Sequence, residues 1–359
     1  MRKIIVAAGA HVLAAMLLVL PARASLAQTG EGGGTRVVVG GDGREARVPL
    51  EVKRVAPTIP AFAQVTEMLT LGGGRIVAYP ERGISGYFKK VFPDLAASNP
   101  RNFSSRSVED LIASGAQVVF GPGGQFSDEE LAQLGRAGAV FVPAAGLGTA
   151  EELGRSFMII GEILGPREAG RAAEFLDYYR GNMELARGLA RGVPESGRVG
   201  ALILFGGGGG FRTINKNDVC HEYLEAAGGR NLAAGHALPA GAGGAPVGAE
   251  DIVVWAPEVV VVSSREAYDE LTGDPALADV PAVRNGRVHV CPSGVFLWAV
   301  RSAEGAMMPL WLGTILYPEL FAEVDMEEVV TEFFKNFYAR ELPAAELRAI
   351  LAPGSGAGE

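Results

Sequence analysis

The chain has 359 residues, a formal net charge of −9, 48% hydrophobic residues and two cysteines. This length suits two ordinary domains, and the hydrophobic fraction excludes wholesale disorder. The excess of acidic over basic residues argues against nucleic-acid binding, because no surplus of positive charge is present to neutralise many phosphates. Two cysteines are too few for a disulfide-dense scaffold or a four-cysteine zinc site.

Residues 1–27 predict a cleavable secretory signal. A basic start, Met1-Arg2-Lys3, precedes an apolar run, and small residues up to Ala27 offer a cleavage site. The apolar run has about 17 residues, short of the roughly 20 that a membrane span needs. No cysteine follows it, so we expect a soluble periplasmic protein and not a lipoprotein. Three basic and no acidic residues leave with the signal, which takes the charge from −9 to −12.

Two α/β lobes are predicted downstream. Val37–Val39 and Ala46–Val48 flank an Asp42-Gly43 turn and indicate a β-hairpin. Short apolar strands then alternate with helical segments, which is typical of βαβ units and parallel sheets. We expect these strands at 75–79, 117–120 and 139–142 in an N-terminal lobe (28–160), and at 199–205, 259–262 and 287–291 in a C-terminal lobe (193–359) that ends in closing helices.

A long connector, 161–192, separates the lobes and contains a predicted helix over 166–189. Pro166 suits its first turn, and apolar residues recur at helical spacing. A continuous helix resists bending except at weak points such as Gly181 and Gly188. We therefore expect little movement between the lobes. Residues 108–119 and 249–260 echo one another at an offset of 141, which favours two related lobes.

Several segments resemble one family when they are read together. They are the hairpin 42–49, the strand 54–56, the stretch 107–122, the helix end 224–232, the hairpin 281–289, and the closing helix and its exit at 311–312 and 317–321. The chain resembles the helical-backbone class of periplasmic substrate-binding proteins, which serve ABC importers of iron-siderophores, haem and cobalamin. This resemblance implies two Rossmann-like lobes around one ligand cleft, a rigid connecting helix, no catalysis, and an ABC permease with its ATPase subunits as partners.

Cationic and aromatic residues follow the predicted strands. The carboxyl ends of parallel strands face the cleft in open α/β sheets. Arginines there suit an anionic chelate and aromatic rings suit its apolar body. The predicted ligand-binding residues are Tyr79, Glu81, Arg82, Phe211, Arg212, Arg265, Trp298 and Arg301. The glycine run Gly206–Gly210 lacks a following Gly-Lys-Ser/Thr, so it favours close approach to a ligand and not a phosphate loop.

Metal and catalytic sites are disfavoured. No two of the mature histidines stand at ligand spacing, although one histidine or tyrosine per lobe would suffice to hold haem. We predict no resident metal or cofactor. The alternative is an exported α/β hydrolase, but no Gly-x-Ser-x-Gly elbow occurs. Cys220 and Cys291 leave two alternatives open, a disulfide or two buried thiols.

Carboxylates on each lobe are candidates for permease docking. In the family that the chain resembles, an acidic residue of each lobe meets arginines of the membrane partner. Here the resemblance implies Glu129 and Glu130 on the first lobe and Glu222 and Glu225 on the second. The alternative is that they are ordinary solvated helix charges. We expect a monomer that carries one metal chelate, a siderophore complex, haem or a cobamide.

Overall fold

A computed structural model describes residues 34–98, 106–206, 210–236 and 244–353. The predicted signal 1–27 and Gly207–Gly209 lie outside the described residues. The strands are β1 (Thr35–Val39), β2 (Glu45–Pro49), β3 (Val55–Pro57), β4 (Val118–Pro122), β5 (Val140–Ala144), β6 (Gly200–Gly206), β7 (Phe211–Thr213), β8 (Arg230–Asn231), β9 (Ala245–Val247), β10 (Val259–Val262) and β11 (Val288–Val290).

Helices surround these strands and close the C-terminus. The α-helices are α1 (Pro60–Thr70), α2 (Gly86–Val91), α3 (Pro93–Ser98), α4 (Val108–Ala113), α5 (Asp128–Arg136), α6 (Ala150–Leu164), α7 (Pro166–Ala190), α8 (Val219–Ala226), α9 (Ala249–Trp255), α10 (Arg265–Gly273), α11 (Pro281–Arg284), α12 (Met308–Leu316), α13 (Met326–Tyr338) and α14 (Ala344–Leu351). Four 3-10 turns join them, Glu195–Gly197, Leu232–Gly235, Pro275–Leu277 and Ala303–Met307.

The first lobe is built on a parallel sheet in the order β3-β4-β5. The predicted strand at 75–79 is reduced to a single bridge, in which Ile76 lies parallel to Val55 at the edge of β3. The predicted hairpin is present as β1 and β2, which pair antiparallel. Its turn contacts the end of β5, where Gly41 N donates to Pro143 O. The hairpin therefore braces the carboxyl edge of the sheet.

The second lobe has a larger sheet in the order β11-β10-β6-β7-β9, with β8 beside the first half of β6. The strands β11, β10 and β6 are parallel, whereas β7 returns antiparallel to the end of β6. All four valines of β10 are fully buried, as expected for a strand covered on both faces. The parallel strands end together at Gly206, Val262 and Val290.

Helix α7 joins the lobes as one unbroken helix of 25 residues. Pro166 begins it, and Gly181 and Gly188 do not interrupt it. It packs closely on α6, because a Cβ on Gly161 would lie 3.0 Å from the Glu168 carbonyl oxygen. One apolar core includes α1 of the first lobe, α7, and α8, α12 and α13 of the second. The predicted fold, two α/β lobes joined by a long helix, is confirmed.

Candidate functional site

The loops that follow β5 and β11 meet across the lobe boundary, where Arg301 donates to Leu147 O. In the first lobe Thr58 follows β3, Gln125 follows β4 and Leu147 follows β5. The Thr58 hydroxyl donates to Gln125 Oε1 at 2.6 Å, which ties two of these loops together. In the second lobe the facing segment is the loop 291–302 after β11, which we call the cleft loop. Ligands of open α/β folds bind at such strand ends.

Three contacts close one side of this cleft, beside α7. Arg301 of the cleft loop donates from Nε to Leu147 O at 3.2 Å and from Nη2 to Asp218 Oδ2 at 2.5 Å. Glu222 Oε2 accepts from the Ala150 amide at 3.2 Å. We call these five residues the interlobe contact. The predicted ligand residue Arg301 and the predicted docking residue Glu222 therefore hold the two lobes against each other.

The other predicted arginines differ in how far they are already paired. Arg212 donates to the Gly244 carbonyl. Arg265 pairs with Asp269 at 2.8 Å and lies 4.8 Å from the Tyr268 ring. Arg82 is exposed and makes no hydrogen bond or ion pair with any residue in the described ranges. Of the four, Arg82 is the guanidinium left available for a ligand.

Arg82 lies on the carboxyl side of the first sheet. Its chain segment leaves the edge of β3 at Ile76, parallel to that strand. The turn that carries it packs against the start of α1, since a Cβ on Gly83 would lie 3.1 Å from Pro60 Cγ. Pro60 is two residues after Thr58, so Arg82 is positioned beside the loop that follows β3. Neighbouring Glu81 is engaged by Lys89.

The predicted aromatic ligand residues are buried in the protein core, whereas an aromatic pocket would need exposed rings. Tyr79 and Trp298 are 1% and 0% exposed, respectively, and lie in the main core. Phe211 is buried in the core of the second lobe. The Trp298 indole donates to Glu304 Oε2 at 3.0 Å instead of facing an open surface. Phe205 near the end of β6 and Phe296 in the cleft loop are partly exposed and pack against the main core.

The predicted docking carboxylates also have distinct surroundings. Glu130 completes a capping box with Ser127 at the start of α5, and its pKa is lowered by hydrogen bonds from the Ser127 amide and hydroxyl. Glu129 is exposed beside it. On α8, Glu225 Oε1 lies 3.5 Å from His221 Nε2. Glu129 and Glu225 are thus more available to a partner than Glu130 and Glu222.

The two cysteines are free and buried. Burial raises the pKa of the Cys291 thiol to about 12 and that of Cys220 well above its usual value. Of the two alternatives left open by the sequence, the structure has the buried thiols. Cys220 begins α8 next to Asp218, whose carboxylate accepts from the Cys220 amide at 3.0 Å. The residue is therefore part of the support for the interlobe contact.

Glu304, which sequence reasoning missed, is the fully buried carboxylate behind the cleft loop. Burial raises its pKa to about 7, although hydrogen bonds from Tyr338 and Trp298 act in the opposite direction. The signal in the sequence was a single carboxylate in an apolar stretch, Ala303-Glu304-Gly305-Ala306-Met307-Met308. Buried carboxylates are rare unless they are hydrogen-bonded, so that context marks a structural or functional role.

Within the described ranges, no group of three or more His, Cys, Asp or Glu side chains could hold a metal ion. No helix in those ranges is long and apolar enough to cross a membrane.

Two α/β lobes that are joined by one helix and meet at their strand-end loops have the architecture expected of a protein that binds a ligand between its lobes. The chain belongs to the periplasmic binding protein family, whose model matches residues 98–295, more than half of the chain. It is therefore the periplasmic binding component of an ABC importer.

Relatives and solved structures agree with this assignment. The molybdate-binding protein MolA of Haemophilus influenzae is 28% identical over 95 residues, which is 26% of this chain and 27% of that protein. A periplasmic solute-binding protein from Veillonella parvula is similar with a TM-score of 0.76 and 21% identity, over 89% of this chain and 97% of that one. The molybdate-bound structure of MolA has a TM-score of 0.71 and 18% identity, over 86% and 99% of the two chains.

A third structure is that of CeuE from Helicobacter pylori with Ni(II) bound, with a TM-score of 0.68 and 19% identity over 88% of this chain and 99% of that one. At these identities the solved structures establish the fold alone.

Proposed function

We propose that this binding protein captures a metal chelate that carries an anionic group, a ferric siderophore complex, haem or a cobamide, in the cleft between its lobes. The observation that carries this proposal is Arg82, an exposed guanidinium at the carboxyl edge of the first sheet that has no hydrogen-bond or ion-pair partner among the described residues. Guanidinium groups recognise carboxylates and related anions through two parallel hydrogen bonds. The ligand is then delivered to the permease without chemical change.

The surroundings of Arg82 support a ligand that is hydrogen-bonded by the first lobe and covered by the second. Thr58 and Gln125 place polar groups on the same edge. Across the boundary, Phe205 and Phe296 offer partly exposed rings near the second set of strand ends. A few polar groups and apolar walls are the usual composition of a small-molecule site.

A second candidate ligand is a small oxyanion such as molybdate. The sequence match to a molybdate-binding protein favours it, and the same guanidinium would serve because it recognises oxyanions of either kind. The two candidates differ in size and in what else the cleft must supply. A chelate needs aromatic side chains to contact its apolar body, whereas an oxyanion needs only hydrogen-bond donors.

The test is calorimetry with the purified protein against ferric siderophores, haemin, cobalamin and molybdate. One ligand should bind at one per chain, and Arg82→Gln should weaken it by well over tenfold, because removing one partner of a desolvated charge pair costs about 2–5 kcal/mol. The matched control is Arg136→Gln, an exposed arginine at the far end of α5, which should bind as the wild type does. Equal affinity in both variants would refute the role of Arg82.

A further inference from the structure

The C-terminal helix α14 contacts both lobes. Its carboxylate Glu346 reaches α2 of the first lobe, where Oε2 accepts from the Tyr87 hydroxyl at 2.7 Å and Oε1 accepts from Lys90 Nζ at 2.9 Å. Near the other end of α14, the Ile350 carbonyl accepts from the amide of Ser293 in the cleft loop of the second lobe, at 3.2 Å. We call these five residues the C-terminal clasp. Helix α14 therefore ties α2 to the cleft loop.

The C-terminal clasp and the interlobe contact hold different edges of the first sheet. The interlobe contact uses Leu147, which follows β5. Helix α2 instead follows the segment that bridges to β3 through Ile76. In the order β3-β4-β5 these two strands lie at opposite edges. In the second lobe both contacts reach the cleft loop, at Ser293 near its start and at Arg301 near its end. The two lobes are therefore tied together at two separate places.

Glu346 is held in the C-terminal clasp as an anion. Only 16% of its side chain is exposed, and Nη2 of Arg340, which follows α13, donates to Oε1 at 3.3 Å and to Oε2 at 3.2 Å. Burial alone would raise the pKa of Glu346, but hydrogen bonds from Lys90, Tyr87 and Arg340 outweigh this effect and lower the pKa to about 2. The neighbouring Leu347 is buried in the main core, which anchors α14 itself.

Helix α2 in turn fixes the turn that carries Arg82. The Ile84 amide donates to the Glu81 carbonyl at 3.1 Å, which closes the turn around Arg82. The Glu81 carboxylate pairs with Lys89 on α2, and the hydroxyl of Ser85 caps the start of that helix. Because Arg82 lies between these links, a shift of α2 would carry the guanidinium with it.

We propose that Glu346 is a positioning residue for the ligand site: by holding α2 through Tyr87 and Lys90, it fixes the place from which Arg82 reaches the ligand. The proposal rests on the proposed function, because Glu346 acts through Arg82. It adds the C-terminal helix to the elements that shape the ligand site.

Hydrogen exchange followed by mass spectrometry or NMR tests this positioning without a ligand. In Glu346→Gln an amide nitrogen replaces one acceptor oxygen and the negative charge is lost, so Tyr87 or Lys90 loses its acceptor. The Ile84 amide of the turn and the Phe88 amide of α2 should then exchange about tenfold faster, as expected for the loss of one partly screened hydrogen bond to a charged group.

Two controls separate positioning from general destabilisation. The amide of Val260, in the buried strand β10, should exchange at the wild-type rate in Glu346→Gln. Glu319→Gln, an exposed glutamate between α12 and α13, is the matched control and should change no amide of the turn or of α2. Tyr87→Phe opens the C-terminal clasp from the side of α2 and should reproduce the effect at Ile84. Wild-type exchange at Ile84 in Glu346→Gln, or an equal rise at Val260, would overturn the proposal.

Calorimetry separates this proposal from the proposed function. The titrants are haemin, ferric siderophores, cobalamin and molybdate. Glu346→Gln should weaken binding by about fivefold, and adding it to Arg82→Gln should weaken binding no further, because both changes act through the same guanidinium. Unchanged binding by Arg82→Gln would refute the proposed function. Weak binding by Arg82→Gln together with wild-type affinity in Glu346→Gln would overturn the positioning role alone.

Discussion

Removing Arg301 tests whether the interlobe contact stabilises the fold. Arg301→Ala takes away the bond to Leu147 O and leaves Asp218 without its guanidinium partner. Hydrogen bonds of charged groups contribute about 1.5–3 kcal/mol each. Solvent screens this pair, because 31% of the Arg301 side chain is exposed against 12% of Asp218. Asp218 also keeps its bond from the Cys220 amide. We therefore expect a loss of about 1–2 kcal/mol in the free energy of unfolding.

Urea denaturation followed by circular dichroism measures this loss. Arg265→Ala is the control, since its i,i+4 pair with Asp269 is 53% and 58% exposed and solvent screening should leave it little effect on stability. Arg301→Lys keeps a positive charge near Asp218 but cannot reproduce both bonds, so it should fall between wild type and alanine. If Arg301→Ala costs no more than Arg265→Ala, the interlobe contact does not stabilise the protein.

Three further predictions follow from the fold and the site. Small-angle scattering should show only a slight change on ligand binding, because α7 is unbroken and the core is shared by both lobes; a large compaction would contradict this. Reversing Glu129 and Glu225 to lysine should abolish uptake in cells and leave ligand affinity intact, because exposed rim charges act on association; normal uptake would refute docking there. Cys220 and Cys291 should resist a thiol reagent in the native protein and both react after unfolding; unreactive cysteines after unfolding would indicate a disulfide.

Local patterns in the sequence were sufficient for the architecture. The Asp42-Gly43 turn between two strand-like segments predicted the hairpin, and the helical spacing after Pro166 predicted α7, because both depend on residues close together in the chain. The valine run of β10 likewise indicated a strand buried on both faces. The segment 75–79 was an exception, because it forms only the bridge between Ile76 and Val55 of β3.

The chemistry of the site was less accessible to sequence reasoning. Arg301 looked like a ligand residue, but its partners lie 83 and 154 positions away in the chain. Trp298 follows a strand end and was therefore predicted to contact the ligand with its ring. Only the tertiary packing shows that this ring lies in the core. Glu304 was missed because its donors come from the cleft loop and from α13, which no local pattern brings together.

The most direct test of the central claim is native mass spectrometry, with a visible spectrum, of protein freshly purified from the periplasm. We expect one small molecule with an anionic group per chain, released unchanged on unfolding and absent from Arg82→Gln but present in Arg136→Gln. A ligand retained equally by both variants, or chemical turnover of the bound molecule, would contradict this expectation.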